Sequence, residues 1–194
     1  MLADGVRGHR SSGARVAGEQ RTGPRSDWSA VDGAERSHYG TPVDALAMAL
    51  ATVGGVGRVP VAPGTFGSLV ALPLLPALAI LRAGSLALYL MVVFAIVALA
   101  IWSAGRAEAM VEGRDHSHIV IDEVAGMVTA GIFLPATWLA AGVAFFVFRA
   151  FDIVKPFPAN VIDRRVEGGF GVVGDDLVAG AYAGLATRLL LWLV

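Results

Sequence analysis

"DEVAGMVTAGIFLPATWLAAGVAFFVFRAFD", Asp122 to Asp152, is the stretch on which the fold turns. As one continuous helix it would run about 46 Å at 1.5 Å per residue, well beyond the roughly 30 Å hydrocarbon layer of a bilayer. Pro135 interrupts it near the middle, and Thr137 is suited to cap a restarted helix. Two short helices turning at Leu134–Thr137 are therefore predicted. The turn decides where charge lies: in a hairpin Asp122 and Asp152 return to one face, whereas a single crossing parts them.

The flanking sequence supports a membrane setting. "SLVALPLLPALAIL" (Ser68–Leu81) is apolar with Pro73 and Pro76 inside it, and "SLALYLMVVFAIVALAIWSAG" (Ser85–Gly105) has the length of a full span. "LVAGAYAGLATRLLLWLV" (Leu177–Val194) is another candidate, with Trp192 placed as an interfacial anchor. Its small residues at Ala179, Gly180, Ala183 and Gly184 permit close helix contact. "VDALAMALATVGGVG" (Val43–Gly57) is shorter and amphipathic. The expected fold is all-α: a polytopic membrane bundle of short helices, about four of them inserted, with one amphipathic or interfacial helix beside them.

Composition agrees. Hydrophobic residues make up 56% of the chain and charged ones 16%, against roughly 25% charged in average soluble domains, and mean hydropathy is +0.66. Net charge is −1 and no basic patch is interleaved with aromatics, so nucleic acid is not an expected partner. The absence of cysteine excludes disulfides, thiolate zinc sites and cysteine nucleophiles. Residues 1–40 are a different material, with six arginines, five acids, seven glycines and no apolar run, and are expected to be a disordered tail. They lack the apolar core of about 7–15 residues that a cleavable signal peptide needs. Residues 42–194 form the membrane domain. With the hairpin in place, every Lys and Arg except Arg82 and Arg188 falls on the side that carries the acids or at its boundary. That bias predicts a multi-pass protein of the cytoplasmic membrane with its acidic face toward the cytoplasm.

The acids are the chemical content of that face. "IVIDEVAGM" places Asp122–Glu123 at a helix start, and "GGFGVVGDDLVAGAYAG" (Gly168–Gly184) is expected to do the same for Asp175–Asp176 behind a glycine-rich break. Capping explains one acid at each place, but not both members of both pairs. "FRAFDIVKPFP" adds Asp152 and Lys155, three apart and on a shared face if that turn is helical, with Arg149 as a further partner in a possible surface ion-pair ladder. Five carboxylates beside a lysine at a membrane interface suit a hard cation such as Mg²⁺, which binds through carboxylates, water and substrate phosphate. Such an ion cancels carboxylate repulsion and polarises a phosphoryl oxygen. Lysine is a point-charge phosphate binder. The pattern points to phosphoryl transfer or hydrolysis on a substrate delivered in the bilayer.

Other motifs carry less. "GFGVVG" (Gly169–Gly174) matches G-x-G-x-x-G but follows "DRRVEG" rather than an apolar strand, with no βαβ context, so a dinucleotide site is not expected. "VDGAER" (Val31–Arg36) has Arg36 where the CDP-alcohol phosphotransferase motif needs alanine. "DHSH" (Asp115–His118) offers two histidines without a third nearby, so loop solvation is the better expectation for zinc-type ligands, with His116 available as an acid or base. In "VAPGTFGS" (Val61–Ser68), Thr65 or Ser68 is expected as an ordinary N-cap, and exposed amides there would suit a phosphate.

Three blocks, "PGTFGS", "DHSHIVIDEVAGM" and "FRAFDIVKPFPANVIDRRVEGGFGVVGDDLVAG", together resemble the signature of the phosphatidylglycerophosphatase A family over about residues 42–190. The resemblance implies a Mg²⁺-dependent membrane lipid phosphatase that converts phosphatidylglycerophosphate to phosphatidylglycerol and inorganic phosphate. Carried over by position, it implies roles for Asp122, Glu123, Asp152, Lys155, Asp175 and Asp176 in catalysis, the five acids among them as metal ligands. It places Asp163 and Arg164 on the family's D-R pair and His116 on a family-like histidine. Lys155, Arg164, Arg149, Thr65 and His116 are the expected phosphate- or substrate-binding groups. Ala159, Val173 and His118 depart from the family pattern without removing a chemical group. Attack on phosphorus by water and passage through an aspartyl-phosphate both remain open. The competing class is a small ion or proton transporter, which would need acids in the middle of its spans.

Overall fold

The computed structural model describes residues 40–111 and 118–193; the expected tail up to residue 39 and His116 lie outside the described residues. Every regular element among them is helical. Helix α1 (Pro42–Ala51) starts behind Thr41, whose side chain accepts from the Asp44 amide, and Pro42 suits the first helical position. Gly54 and Gly55 in left-handed conformation then lead through a 3₁₀ turn at Val56–Arg58. Helices α2 (Pro63–Ala71) and α3 (Leu74–Gly84) follow one another with a break at Leu72–Pro73, where Pro73 lacks the amide hydrogen that would continue the ladder.

The expected cap of α2 is corrected. Ala62, at φ 48°, holds the cap position and has no side chain that can accept a hydrogen bond; its carbonyl accepts from the Thr65 amide at 2.9 Å. Thr65 lies inside the first turn, and Ser68 Oγ donates to the Gly64 carbonyl at 2.9 Å. Helix α4 (Leu86–Met110) begins at Ser85, whose hydroxyl accepts from the Leu88 amide at 3.3 Å.

The deciding stretch is a hairpin. Helix α5 (Ile121–Ala130) ends at Gly131, and α6 (Trp138–Val154) restarts behind Thr137, whose hydroxyl accepts from the Ala140 amide at 3.2 Å. A short α7 (Ala159–Arg165) and the long α8 (Gly168–Trp192) complete the chain.

Helix α8 corrects a second expectation. Asp175 and Asp176 do not open a helix; α8 already starts at Gly168, and the aspartates sit two turns inside it. Within the run, Gly169 is where α4 approaches backbone to backbone. A Cβ on Gly169 would stand 1.9 Å from the Ile101 carbonyl oxygen, and one on Gly105 would stand 2.7 Å from Gly169 N. Glycine costs roughly 1 kcal/mol in a helix interior, and here close packing offsets it.

A second close approach sets the register of α5 on α8. A Cβ on Gly180 would meet the Gly126 carbonyl oxygen at 2.2 Å, and one on Gly184 would meet that of Ala130 at 2.6 Å. These contacts step by four residues on both helices, so the helices run parallel with residues i and i+54 opposed. One turn back along the same ridge, that register opposes Asp122 to Asp176. Phe148 from α6 closes the third side, with Met127, Ala144, Ala179 and Ala183 buried around it. The sequence prediction of close contact through Ala179, Gly180, Ala183 and Gly184 thus holds.

Two stretches are long and apolar enough to cross a bilayer: Pro63–Gly84, with mean hydropathy 1.9, and Leu86–Met110, with 2.5. The helices of the hairpin are shorter, at 10 and 17 residues, and α8 carries two aspartates and Arg188. Large apolar side chains remain outside the bundle, among them Met91 and Phe94 on α4 and Phe146 on α6. Apolar surface of that extent marks a protein that meets a partner or lipid.

Candidate active site

The acidic site is built where six helices, α2 and α4 to α8, meet with the loops between them. The amide of Val120 donates to the Ala51 carbonyl at 2.9 Å, which ties the start of α5 to the end of α1. Asp122 and Glu123 therefore occupy the first turn of α5, where the helix dipole favours negative charge, and Asp122 Oδ1 accepts from the Glu123 amide at 3.1 Å. Asp176 reaches them from α8 through the glycine register. Ligand atoms of Asp122, Glu123 and Asp176 all lie within 4.8 Å of one another. Asp175 and Asp176 are both buried, at 5% and 4% exposure, so neither is a solvated surface acid.

Arg149 braces the cluster from behind. Its Nη1 lies 2.6 Å from Asp152 Oδ2 and 3.7 Å from Glu123 Oε1, linking α6 to α5. The Asp152 contact is an ion pair by distance but is out of line for a hydrogen bond, which leaves Arg149 Nε and Nη1 without a hydrogen-bond acceptor. Glu123 Oε2 is likewise buried without a partner. The start of α2 lies against this group. A Cβ on Gly64 would stand 1.9 Å from Glu123 Oε1 and 3.2 Å from Arg149 Nη1, so only glycine fits there without displacing the carboxylate.

Lys155 departs from its expected position. Helix α6 ends at Val154, and Lys155 turns into the left-handed region at φ 47°, so it does not share a helix face with Asp152. Pro156 follows, which forbids a continued helix. The turn swings Lys155 Nζ to Asp163 Oδ1 at 2.5 Å and Asp175 Oδ2 at 2.6 Å. Burial disfavours the ammonium charge, yet the hydrogen bonds to Asp163 and Asp175 outweigh it and hold the Lys155 pKa above its ordinary value. A left-handed lysine costs on the order of 1–3 kcal/mol, and such strain collects at functional sites. Tyr182 helps hold the loop, donating its hydroxyl to the Phe157 carbonyl at 2.9 Å while its ring lies 5.7 Å from that of Phe151.

These groups line a cleft of about 510 Å³. Asp122, Glu123, Asp152, Lys155, Arg164, Asp175 and Asp176 all line it. Asp163 also lines it, and so do Glu108 and Glu167, which the sequence reading missed. Glu108 lies just beyond the longest apolar run and Glu167 just after the D-R pair, so their closeness to charged blocks was the available signal. Thr65 and Arg149 are not brought to the cleft: Pro63 lines it from α2, and Arg149 stands behind the acids. His118 is engaged elsewhere, with Nδ1 3.0 Å from the Gly57 carbonyl oxygen.

Chemically, eight carboxylates face Lys155 and Arg164, so the side chains by themselves present net negative charge to an anion. Three converging carboxylates, an unpartnered Glu123 oxygen and an all-oxygen donor set fit a hard divalent cation.

Comparison with known proteins agrees with the geometry. Phosphatidylglycerophosphatase A of Escherichia coli (strain K12) is 37% identical over 129 residues, covering 65% of this chain and 72% of that protein. The Haemophilus influenzae protein of the same name is 33% identical over 132 residues, covering 66% of this chain and 78% of its own. A Bacteroides thetaiotaomicron relative, provisionally named a phosphatidylinositol-3-phosphatase, is 34% identical over 160 residues, 77% of this chain and 96% of that one. No solved structure matches the chain significantly. Residues 49–191, which hold the whole acidic cleft, match the family model described as Phosphatidylglycerophosphatase A, and the chain belongs to that family.

Proposed function

We propose that this chain hydrolyses the terminal phosphomonoester of phosphatidylglycerophosphate, giving phosphatidylglycerol and inorganic phosphate, with Mg²⁺ as its metal. The observation that carries the reading is the convergence of Asp122, Glu123 and Asp176 from two helices beside Lys155. Those three carboxylates would hold the ion, with Asp152 next to them. When bound, it supplies charge neutralisation for the phosphate and polarisation of a phosphoryl oxygen.

The chain's own residues do the rest. Lys155, held between Asp163 and Asp175, presents a fixed cation to the phosphate. Substrate competes with exposed Asp163 for that cation more readily than with buried Asp175. Arg164 at the exposed end of α7 is placed for the outer phosphate oxygens. Arg149 serves as a positioning residue, holding Asp152 and Glu123 in place without touching substrate. The net reaction consumes one water, breaks the bond between phosphorus and the glycerol oxygen, and returns a proton to that oxygen.

In the bilayer, the α2–α3 rod, α4, α6 and α8 are the inserted helices. Short α5 is enclosed among them, and α1 lies at the interface. Enclosure of α5 by protein is what lets a short helix sit at membrane depth. The acidic end faces the cytoplasm, following the Lys and Arg bias. Because the acids gather at one end rather than along a path across the bundle, the geometry gives a transporter no support.

The test is phosphate release by the purified protein in detergent, with Mg²⁺ and then with EDTA. Phosphatidylglycerophosphate and phosphatidylinositol 3-phosphate are assayed side by side. Metal-dependent release from the first, well above the second, is expected. Release from the inositol lipid alone would transfer the reading to a phosphoinositide phosphatase, and release insensitive to EDTA would remove the metal.

A further inference from the structure

A second cavity, of about 620 Å³, lies at the turn end of the α5–α6 hairpin, away from the acidic cleft. Its size falls within the roughly 300–1,000 Å³ typical of small-ligand sites. Ala130, Ala181, Gly184 and Phe133 make much of its lining, and its two charged groups are Arg82 from α3 and Arg188 from α8. Arg82 donates to the Ile132 carbonyl and, at 2.9 Å, to that of Leu134; Arg188 donates to the Phe133 carbonyl at 2.6 Å. These bonds satisfy carbonyls of the turn after α5, which accept no backbone amide.

Capping does not account for the charge. Each guanidinium has five N–H donors, so most of their donors are not used by the turn. No carboxylate among the described residues pairs with either arginine; the ion pairs there belong to Arg106, Arg149 and Lys155. All the described acids lie toward the other end of the bundle, since Asp175 and Arg188 are about 20 Å apart along α8 at 1.5 Å per residue. Arg82 packs over the Tyr89 ring at 5.9 Å and Arg188 is exposed; with no carboxylate partner among the described residues, the two cations beside an apolar cavity suit an anion carried on an apolar body. Arginine forks match phosphate oxygens in that role.

We infer that this cavity binds an anionic phospholipid of the leaflet opposite the acidic cleft. Its phosphodiester engages Arg82 and Arg188, and part of an acyl chain fills the space beside Ala130 and Gly184. The inference rests on the membrane reading above and not on the phosphatase reaction.

The test uses the full chain in mild detergent, titrated with dioleoyl-phosphatidylglycerol or dioleoyl-phosphatidylcholine and followed by native mass spectrometry. Wild type and Asp176→Asn are expected to retain the glycerol lipid over the choline lipid. Arg188→Gln is expected to lose that retention by roughly ten-fold or more while keeping phosphatase turnover. Equal retention of both lipids, unchanged binding in Arg188→Gln, or loss in Asp176→Asn would each overturn the proposal, the last by placing the lipid in the acidic cleft. Should Arg188→Gln fail to fold, the cysteine-free chain allows a second measurement. Ala181→Cys, labelled with a small fluorophore, should be quenched by brominated phosphatidylglycerol at concentrations where brominated phosphatidylcholine is silent; equal quenching refutes the site. Absent turnover in wild type would count against the phosphatase reading alone.

Discussion

At the scale of single residues, the site depends on groups whose placement is exacting. Asp122→Asn and Asp176→Asn should each lower turnover by at least about 100-fold, the usual scale for groups acting in the transition state, without loss of helix content. Phosphate release and circular dichroism on the same preparations check this; near-normal turnover in either variant would remove that aspartate from the site. Gly64→Ala is a sharper probe, since its methyl carbon would stand 1.9 Å from Glu123 Oε1. It should impair turnover although it alters no chemical group. Lys155 bears on pH. Its raised pKa means that its ion-pair stabilisation is fully present below the ordinary value of 10.5 and fades only as pH rises through the higher folded value. Lys155→Gln should therefore reduce turnover by the same factor across about pH 6 to pH 9, a window in which lysine does not titrate. A factor that changes within that window would show that Lys155 ionises there.

At the scale of elements, the contact of α5 with α8 is what joins two acids distant in sequence. Gly126 and Gly180 let the backbones touch, and the four-residue step along both helices carries that closeness to Asp122 and Asp176. Gly180→Ala should destabilise the fold by about 1–3 kcal/mol through overpacking and lower turnover with it. Gly142→Ala on α6 is the matched control, because a Cβ there meets nothing within 4 Å. It should be neutral or stabilising by up to about 1 kcal/mol, since alanine is the better helix former. Thermal unfolding in detergent separates the two; equal shifts would mean that the glycine ridge is not tight. A stretch such as "GGFGVVGDD" looks like a break because glycine favours loops in isolation. Only the tertiary neighbours, the α4 backbone at Gly169, the Val166 carbonyl at Gly171 and Ile162 at Gly174, show that these three glycines serve contact instead.

At the scale of the whole molecule, the hairpin sends the 131–134 turn and the 155–158 loop to opposite ends of the bundle. Phe133 and Phe157 are exposed at those two ends and can each be changed to cysteine in a chain that has none. A membrane-impermeant maleimide added outside intact cells should label Phe133→Cys and spare Phe157→Cys. The reverse pattern would invert the orientation, and labelling of both would break the hairpin topology in the membrane.

Much of this protein was legible in the chain itself. Apolar runs of bilayer length, Pro135 followed by Thr137, and acids too numerous for capping specified helices, a hairpin and a charged face, because these signals act over a turn or two of helix. The charged blocks also carried the family resemblance. Pairing was not legible. Nothing local says that Gly126 meets Gly180, that Lys155 turns left-handed to reach Asp163 and Asp175, or that Arg149 braces Glu123 from behind. Nor does it bring Glu108 and Glu167 into the cleft. Those are consequences of which helix faces approach most closely, and that is settled by small-residue packing between segments distant in sequence, such as those of Gly126 and Gly180.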